Sequence, residues 1–299
     1  MQTAYDVVVV GGGGSGLAAA ASAAEHGASV LLLEKQSEIG GTTGIAVGSF
    51  TASRTRLQER AGIHDDVSDH AEDAGKFAPA EIEHRNAPSL RRFFLDHGSD
   101  ALHWLMDMGL QFQGPNPEPP NRVPRMHNVV PGARAYVAEL QKRLLSNGGA
   151  VLCNAAAESL VSTGPRITGV VARIDGGPVE LTAERGVVLA AGDYANSPEL
   201  IGRFKGDRFA DIEGINPHSV GDGHVLAEQA GARLVNMEVT YGPEIRFVVP
   251  EGRTLQQLMP STGPIASLIG RLLPVVPRFV MNAVARRLLV TWQHPEDAL

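Results

Sequence analysis

The chain has 299 residues, 43% of them hydrophobic and 20% charged, with a formal net charge of -7. That is enough apolar material for one large domain or two smaller ones, and it offers no basic surface to neutralise a nucleic-acid backbone, so no nucleic-acid partner is expected. The one cysteine, Cys153, excludes an internal disulfide and a thiolate-rich metal or iron–sulfur site within the chain, and its place after Val151 and Leu152 suggests a small buried hydrophobe.

Met1 to Tyr5 lead straight into a valine run, with neither a charged n-region nor an apolar h-region, which points to the cytoplasm. Asp6 to Val10 is a short β-branched run, as expected of a strand buried on both faces of a parallel sheet. Four glycines and Ser15 follow. An alanine-rich helix runs from Leu17 to His26 and ends at Gly27, and residues 28–34 (ASVLLLE) form a second strand. Strand, glycine turn, helix and strand within about thirty residues make a right-handed βαβ unit.

A glycine- and threonine-rich loop comes next, GGTTGIAVGSF at 40–50. The HDDVSDHAED stretch at 64–73 reads as a solvated acidic surface, because nothing else fixes a ligand geometry there; no metal site is expected. Helical spacing of Leu90, Phe93, Phe94, Leu102, Trp104, Leu105 and Met108 predicts a helix over 89–108. The GPNPEPP segment at 114–120 reads as a surface loop. A further amphipathic helix is predicted over 133–145. Short strands are predicted at 150–153, 157–162, 167–174, 178–183 and 187–191, the last a buried run ending in glycine.

Ser197 is placed to cap a helix with Pro198 at its first position, and another helix is predicted from Gly221-Asp222-Gly223 to Gly231. His218, just before that turn, reads as a loop residue, with a proton carrier the alternative. Tyr194 is expected to be a packing residue and not a catalytic one. Residues 265–292 are apolar, but Arg271, Pro274, Pro277, Arg278, Arg286 and Arg287 interrupt them, so no integral membrane segment is expected and packed helices of a second domain are.

The chemistry concentrates at Gly11-x-Gly13-x-x-Gly16, which follows one strand, opens a helix and precedes Glu34 at the end of the next strand. In such a turn Gly11 permits the sharp bend, Gly13 lets backbone approach a pyrophosphate, and Gly16 lets the helix pack on the sheet. The helix N-terminus supplies N–H donors and a positive dipole end, while Glu34 accepts from ribose hydroxyls. This context predicts dinucleotide binding.

Glu34-Lys35 followed by Gly40-Gly41-Thr42-Thr43 resembles the second FAD-binding segment of the fumarate reductase/succinate dehydrogenase flavoprotein family, which includes 3-ketosteroid dehydrogenases. The RMH at 125–127, VVLAAGDYANSPEL at 187–200 and GDGHVLAEQAGARLVNME at 221–238 resemble the same family in the same order. The resemblance implies an α/β, Rossmann-like (GR2-type) FAD-binding domain with a parallel central sheet over 1–236, and the beginning of an α+β cap domain over 237–299. By the same resemblance the family's final FAD-domain segment is missing before the HPEDAL at 294–299, so the chain is expected to be an incomplete member: a fragment, a truncated product or half of a split protein.

By the same resemblance, Gly11, Gly13, Gly14, Ser15 and Gly16 meet the pyrophosphate, and Glu34 and Lys35 the ribose. Gly40, Gly41, Thr42 and Thr43 follow the ribitol and flavin, Ala156 or Ala157 the adenine, with Ala191, Gly192 and Asp222 as further contacts. Members with covalent FAD use a histidine in the segment matching 42–50; this chain has none, so FAD is expected to be non-covalent. The implied activity is hydride transfer between flavin and a CH–CH or C=C bond beside a carbonyl or carboxylate. The implied substrate is an unsaturated acid or ketosteroid-like small molecule, with an electron-acceptor partner. Arg125, His127, Tyr241 and Arg246 are the candidates for holding the substrate oxygen or moving a proton, with a structural role the alternative for Arg125, His127 and Arg246. A truncated FAD-binding or interaction protein and a flavin hydroxylase are the competing readings.

Overall fold

A computed structural model of the chain describes residues 2–239 and Leu268. In chain order, β1 (Ala4–Val10), α1 (Gly14–Glu25) and β2 (Val30–Leu33) form the opening unit, followed by a 3-10 turn at Thr42–Ile45. Next come β3 (Ser49–Thr51), α2 (Arg56–Arg60), α3 (Val67–Ala74), α4 (Ala80–Glu83) and α5 (Pro88–Asp107). They lead to β4 (Gln111–Asn116), β5 (Met126–Val130), α6 (Arg134–Ser146) and β6 (Ala150–Leu152). Three long strands, β7 (Ala156–Thr163), β8 (Arg166–Ile174) and β9 (Gly177–Leu189), precede α7 (Pro198–Lys205) and α8 (Asp222–Gln229).

The main sheet has six strands in the order β6-β2-β1-β9-β8-β7. β6, β2, β1 and β9 run parallel, whereas β9, β8 and β7 are antiparallel. Alternation along β1 divides the core. Val9 turns to one face with Leu17, Ala20 and Ala21 of α1 and Leu140 and Leu144 of α6. Val8 and Val10 turn to the other, with Leu31, Leu33, Val170 and Leu181. Small alanines on α1 let it lie close to both sheet and α6, which explains an alanine-rich buried helix. A second sheet, β3-β5-β4, is antiparallel.

Three sequence expectations change here. The strands predicted at 178–183 and 187–191 are one strand, β9, pairing with β8 from Gly177 to Thr182 and with β1 from Thr182 to Leu189. The polar Glu184-Arg185-Gly186 between them is a bulge, not a turn: the β1–β9 register shifts there and Gly186 adopts φ 154°. Its last residues are only half-buried because Val188 and Leu189 line a cleft.

Gly114, Pro115 and Asn116, expected in a loop, belong to β4. β4 is an edge strand, where a residue without an N–H is tolerated. The acidic stretch at 64–73 is in part interior. Asp66 caps α3 by accepting from Asp69 N at 2.9 Å, which turns His70 and Asp73 inward. The Asp65 and Asp73 side chains are 1% and 0% exposed and pair with Arg125. Ser197 does cap α7, accepting from Leu200 N at 3.2 Å. The cap expected over 237–299 lies outside the described residues beyond Val239.

Candidate functional site: a cleft at the strand ends

β1, β2 and β9 end side by side, and the chain leaves each in a different direction. Gly11 N donates to Leu33 O at 2.8 Å, and Ala190 N donates to Val10 O at 2.8 Å. The opening between them is a cleft of about 990 Å³, outside the carboxyl ends of the strands, where open α/β sheets bind ligands.

Glycine geometry shapes its floor. Gly11 has φ 107°, and a Cβ there would lie 2.4 Å from Ala190 O. A Cβ on Gly16 would lie 1.9 Å from Gly11 O, so α1 begins directly against the strand end. Gly13 differs: its φ is -76°, and the nearest atom to an added Cβ is Gly41 Cα at 4.0 Å. Nothing in the protein requires glycine there, whereas a ligand approaching the backbone would. Gly40 N donates to Gly12 O at 2.9 Å, and Gly13 and Gly40 form a parallel bridge, so the glycine-threonine loop lies along the glycine turn. Thr43 Oγ1 accepts from Gly14 N at 3.2 Å.

Glu34 closes one end. Its Oε2 accepts from Gly12 N at 2.8 Å and its Oε1 from Gln36 N at 2.8 Å. A carboxylate has about four acceptor sites, so capacity for two ribose hydroxyls remains.

Of the residues expected at the cofactor, Gly11, Gly13, Gly14, Ser15, Glu34, Lys35, Gly41, Thr42, Thr43, Ala191 and Gly192 line the cleft. Five expected contacts do not. Gly16 and Gly40 act through backbone packing, and Ala156 and Ala157 pair with Arg173 and Ala172 on β8. Asp222 binds Lys35 Nζ at 2.6 Å. The sequence reading missed Gly12, Gln36, Ser37, Glu38, residues 215–219 and His224, all of which line the cleft. Turn chemistry at Asn216-Pro217 marks a loop but not where it folds back. His224 has a buried Nδ1 with no hydrogen-bond partner, and its ring meets the edge of Tyr194, itself buried in a small cluster with Leu200 and Ile201.

The four catalytic candidates fare differently. Arg125 is fully buried and does not line the cleft. Its Nε and Nη2 donate to Asp65 at 2.7 Å each, and its Nη1 donates to Asp73 at 2.7 Å and Asn121 at 2.9 Å. Burial acts to raise the Asp73 carboxyl, yet hydrogen bonds from Arg122, Lys76 and Arg125 hold it well below the usual carboxylate range. Burial, with the Arg125 charge nearby, pushes His70 down to about 4.

His127 is also fully buried. Its Nδ1 donates to Phe50 O at 3.1 Å, leaving Nε2 to accept from Thr55 Oγ1 at 3.0 Å, and burial holds its pKa below the ordinary value. Both residues brace the α2–α3 region against β5, with their polar atoms committed inside the protein. Tyr241 and Arg246 lie outside the described residues. Among the described residues, no group of three or more His, Cys, Asp or Glu side chains could hold a metal ion, and no helix is long and apolar enough to cross a membrane.

The cleft therefore fits the cofactor implied by the resemblance: a backbone cradle, an N-terminal helix end, a carboxylate for ribose, and a volume of about 990 Å³. Comparison with known proteins agrees. A profile of the FAD binding domain family matches residues 6–289. The NADH:fumarate oxidoreductase of Klebsiella pneumoniae (strain 342) is 29% identical over 246 residues, a match covering 81% of this chain and 26% of that protein.

The open conformation of a flavocytochrome c3 fumarate reductase superposes with a TM-score of 0.72 at 27% identity, covering 78% of this chain and 41% of that one. The 3-ketosteroid-delta4-(5alpha)-dehydrogenase from Rhodococcus jostii RHA1 shares the fold, with a TM-score of 0.70 at 24% identity over 79% of this chain and 56% of that one. The chain thus spans less than two thirds of the length of each relative. With the glycine cradle, the acidic strand end and a family match over nearly its whole length, the chain belongs to the FAD binding domain family.

Proposed function

We propose that this chain is the cofactor-binding part of an FAD-dependent oxidoreductase acting on a CH–CH or C=C bond beside a carbonyl or carboxylate. The observation that carries this reading is the open face of Gly13 in the family's own glycine turn. FAD, when bound, supplies the hydride chemistry. The chain's residues bind and orient it: backbone N–H groups at the start of α1 receive the pyrophosphate, and Glu34 accepts from a ribose. Thr42 and Thr43 border the path toward the flavin end. The stretch Thr42 to Phe50 contains no histidine, which supports non-covalent attachment.

Since Arg125 and His127 have their polar atoms committed elsewhere, Tyr241 and Arg246 are our candidates for the substrate oxygen. The fumarate-reducing relatives favour a small unsaturated acid over a steroid. An electron-exchanging partner would complete the cycle.

The test is reconstitution of the purified chain with FAD. A yellow protein that releases free FAD on acid precipitation supports the cofactor reading, and reoxidation of its reduced flavin by fumarate, but not by an α,β-unsaturated 3-ketosteroid, supports the substrate class. A colourless protein after reconstitution would refute the first, and reoxidation by the steroid alone would refute the second.

A further inference from the structure

Residues 215–219 form a wall of the cleft that comes from far along the chain. Asn196 holds the outer side of this segment. Its Nδ2 donates to Gly214 O at 3.0 Å and to Asn216 O at 2.7 Å, its Oδ1 accepts from Gly214 N at 3.0 Å, and its N donates to Ser219 O at 2.8 Å. The inner side is tied across the cleft to the opposite wall. Asn216 Nδ2 donates to Thr42 Oγ1 at 3.1 Å, and Lys35 Nζ donates to His218 O at 2.6 Å and to Asp222 Oδ2 at 2.6 Å.

The two walls differ in how firmly they are built. The glycine side is continuous with β1, β2 and α1, whose side chains fill the core. The 215–219 side is irregular, with Ile212 and Ile215 about half exposed, at 47% and 52%. Lys35, expected to touch ribose, instead has its ammonium engaged by the far wall and the start of α8. A dinucleotide lying on the glycine floor would lie between the two walls that these ties join.

We propose that Lys35 and Asn216 are positioning residues that fasten residues 215–219 over the dinucleotide cleft, and that release of this wall sets how fast the cofactor enters and leaves. This rests on the FAD reading. A tie between protein groups that does not itself bond the cofactor gates both directions alike. Weakening it therefore changes both rates together and leaves their ratio nearly unchanged.

The experiment is stopped-flow reconstitution of the full apo chain with FAD, followed by flavin fluorescence. Release is measured by trapping freed FAD with an excess of another flavin-binding apoprotein. Asn216→Ala and Thr42→Val should each raise entry and release about three- to tenfold, the effect of one net hydrogen bond, and in Asn216→Ala, which removes no expected cofactor contact, the dissociation constant should stay within about threefold of wild type.

Because the two side chains act through each other, the double variant should be no faster than the faster single one. Lys35→Met should raise both rates, and Lys35→Arg should restore them. Faster release with unchanged entry, multiplying effects in the double variant, or unchanged rates in a chain that binds FAD would overturn the wall alone. Failure of the wild-type chain to take up any FAD would overturn the cofactor reading and the wall with it.

Discussion

Gly13→Ala separates what the fold needs from what the ligand needs. The added methyl finds nothing nearer than Gly41 Cα at 4.0 Å, and φ of -76° is open to any L-residue. Loss of unfolded-chain entropy favours alanine by about 0.4–1 kcal/mol, and its poorer helix capping offsets a similar amount. Apo stability should therefore stay within about 1 kcal/mol of wild type, a shift of a few degrees in Tm at most. Cofactor affinity should behave otherwise, because the methyl projects where backbone must approach a pyrophosphate.

Displacing the phosphates far enough to lose two charge-assisted hydrogen bonds costs about 3–6 kcal/mol, or roughly a hundredfold or more in Kd. Calorimetric unfolding of the apo chain and FAD titration by fluorescence quenching measure the two quantities separately. Gly16→Ala is the control: its Cβ would lie 1.9 Å from Gly11 O, so stability and binding should fall together. Unchanged FAD affinity in a well-folded Gly13→Ala variant would refute the cradle.

Glu34→Gln keeps one acceptor but turns an N–H₂ toward Gly12 N or Gln36 N, both of which are donors. FAD affinity should drop by roughly tenfold to a hundredfold, read by the same titration. Arg125→Met leaves the buried Asp65 carboxylate without its cation, whereas Asp73 keeps Arg122 and Lys76. Breaking such a pair costs about 3–5 kcal/mol, so Tm should fall clearly in calorimetry while the folded variant still binds FAD, and Asp65→Asn in the same chain should recover part of the loss.

His70 has a folded pKa near 4, below its ordinary 6.5, so the unfolded chain takes up a proton first as pH falls. Its contribution is intact above about pH 6.5 and declines toward pH 4, by up to about 3 kcal/mol. Melting curves of the wild type should therefore drop more steeply across that window than those of His70→Asn.

The local chemistry of this protein is written in short stretches. Asp6 to Glu34 contain a strand, a glycine turn, a helix and an acidic strand end, and each follows from nearest-neighbour sterics and periodicity. Ser197-Pro198 likewise determines where α7 starts. What the sequence alone determined is thus the strand ends, glycine turn and helix start that floor the cleft, because glycine freedom, helix ends and strand alternation are properties of adjacent residues.

Tertiary structure decided the rest. Arg125 and His127 carry chemistry that suits a catalytic centre, and burial against Asp65, Asp73, Thr55 and Phe50 assigns their polar atoms to the scaffold instead. The resemblance put Lys35 beside a ribose, but the partners it has in the fold, His218 and Asp222, lie more than 180 residues away. Burial and long-range pairing depend on which segments the sheet order brings together, and no local pattern encodes that distance.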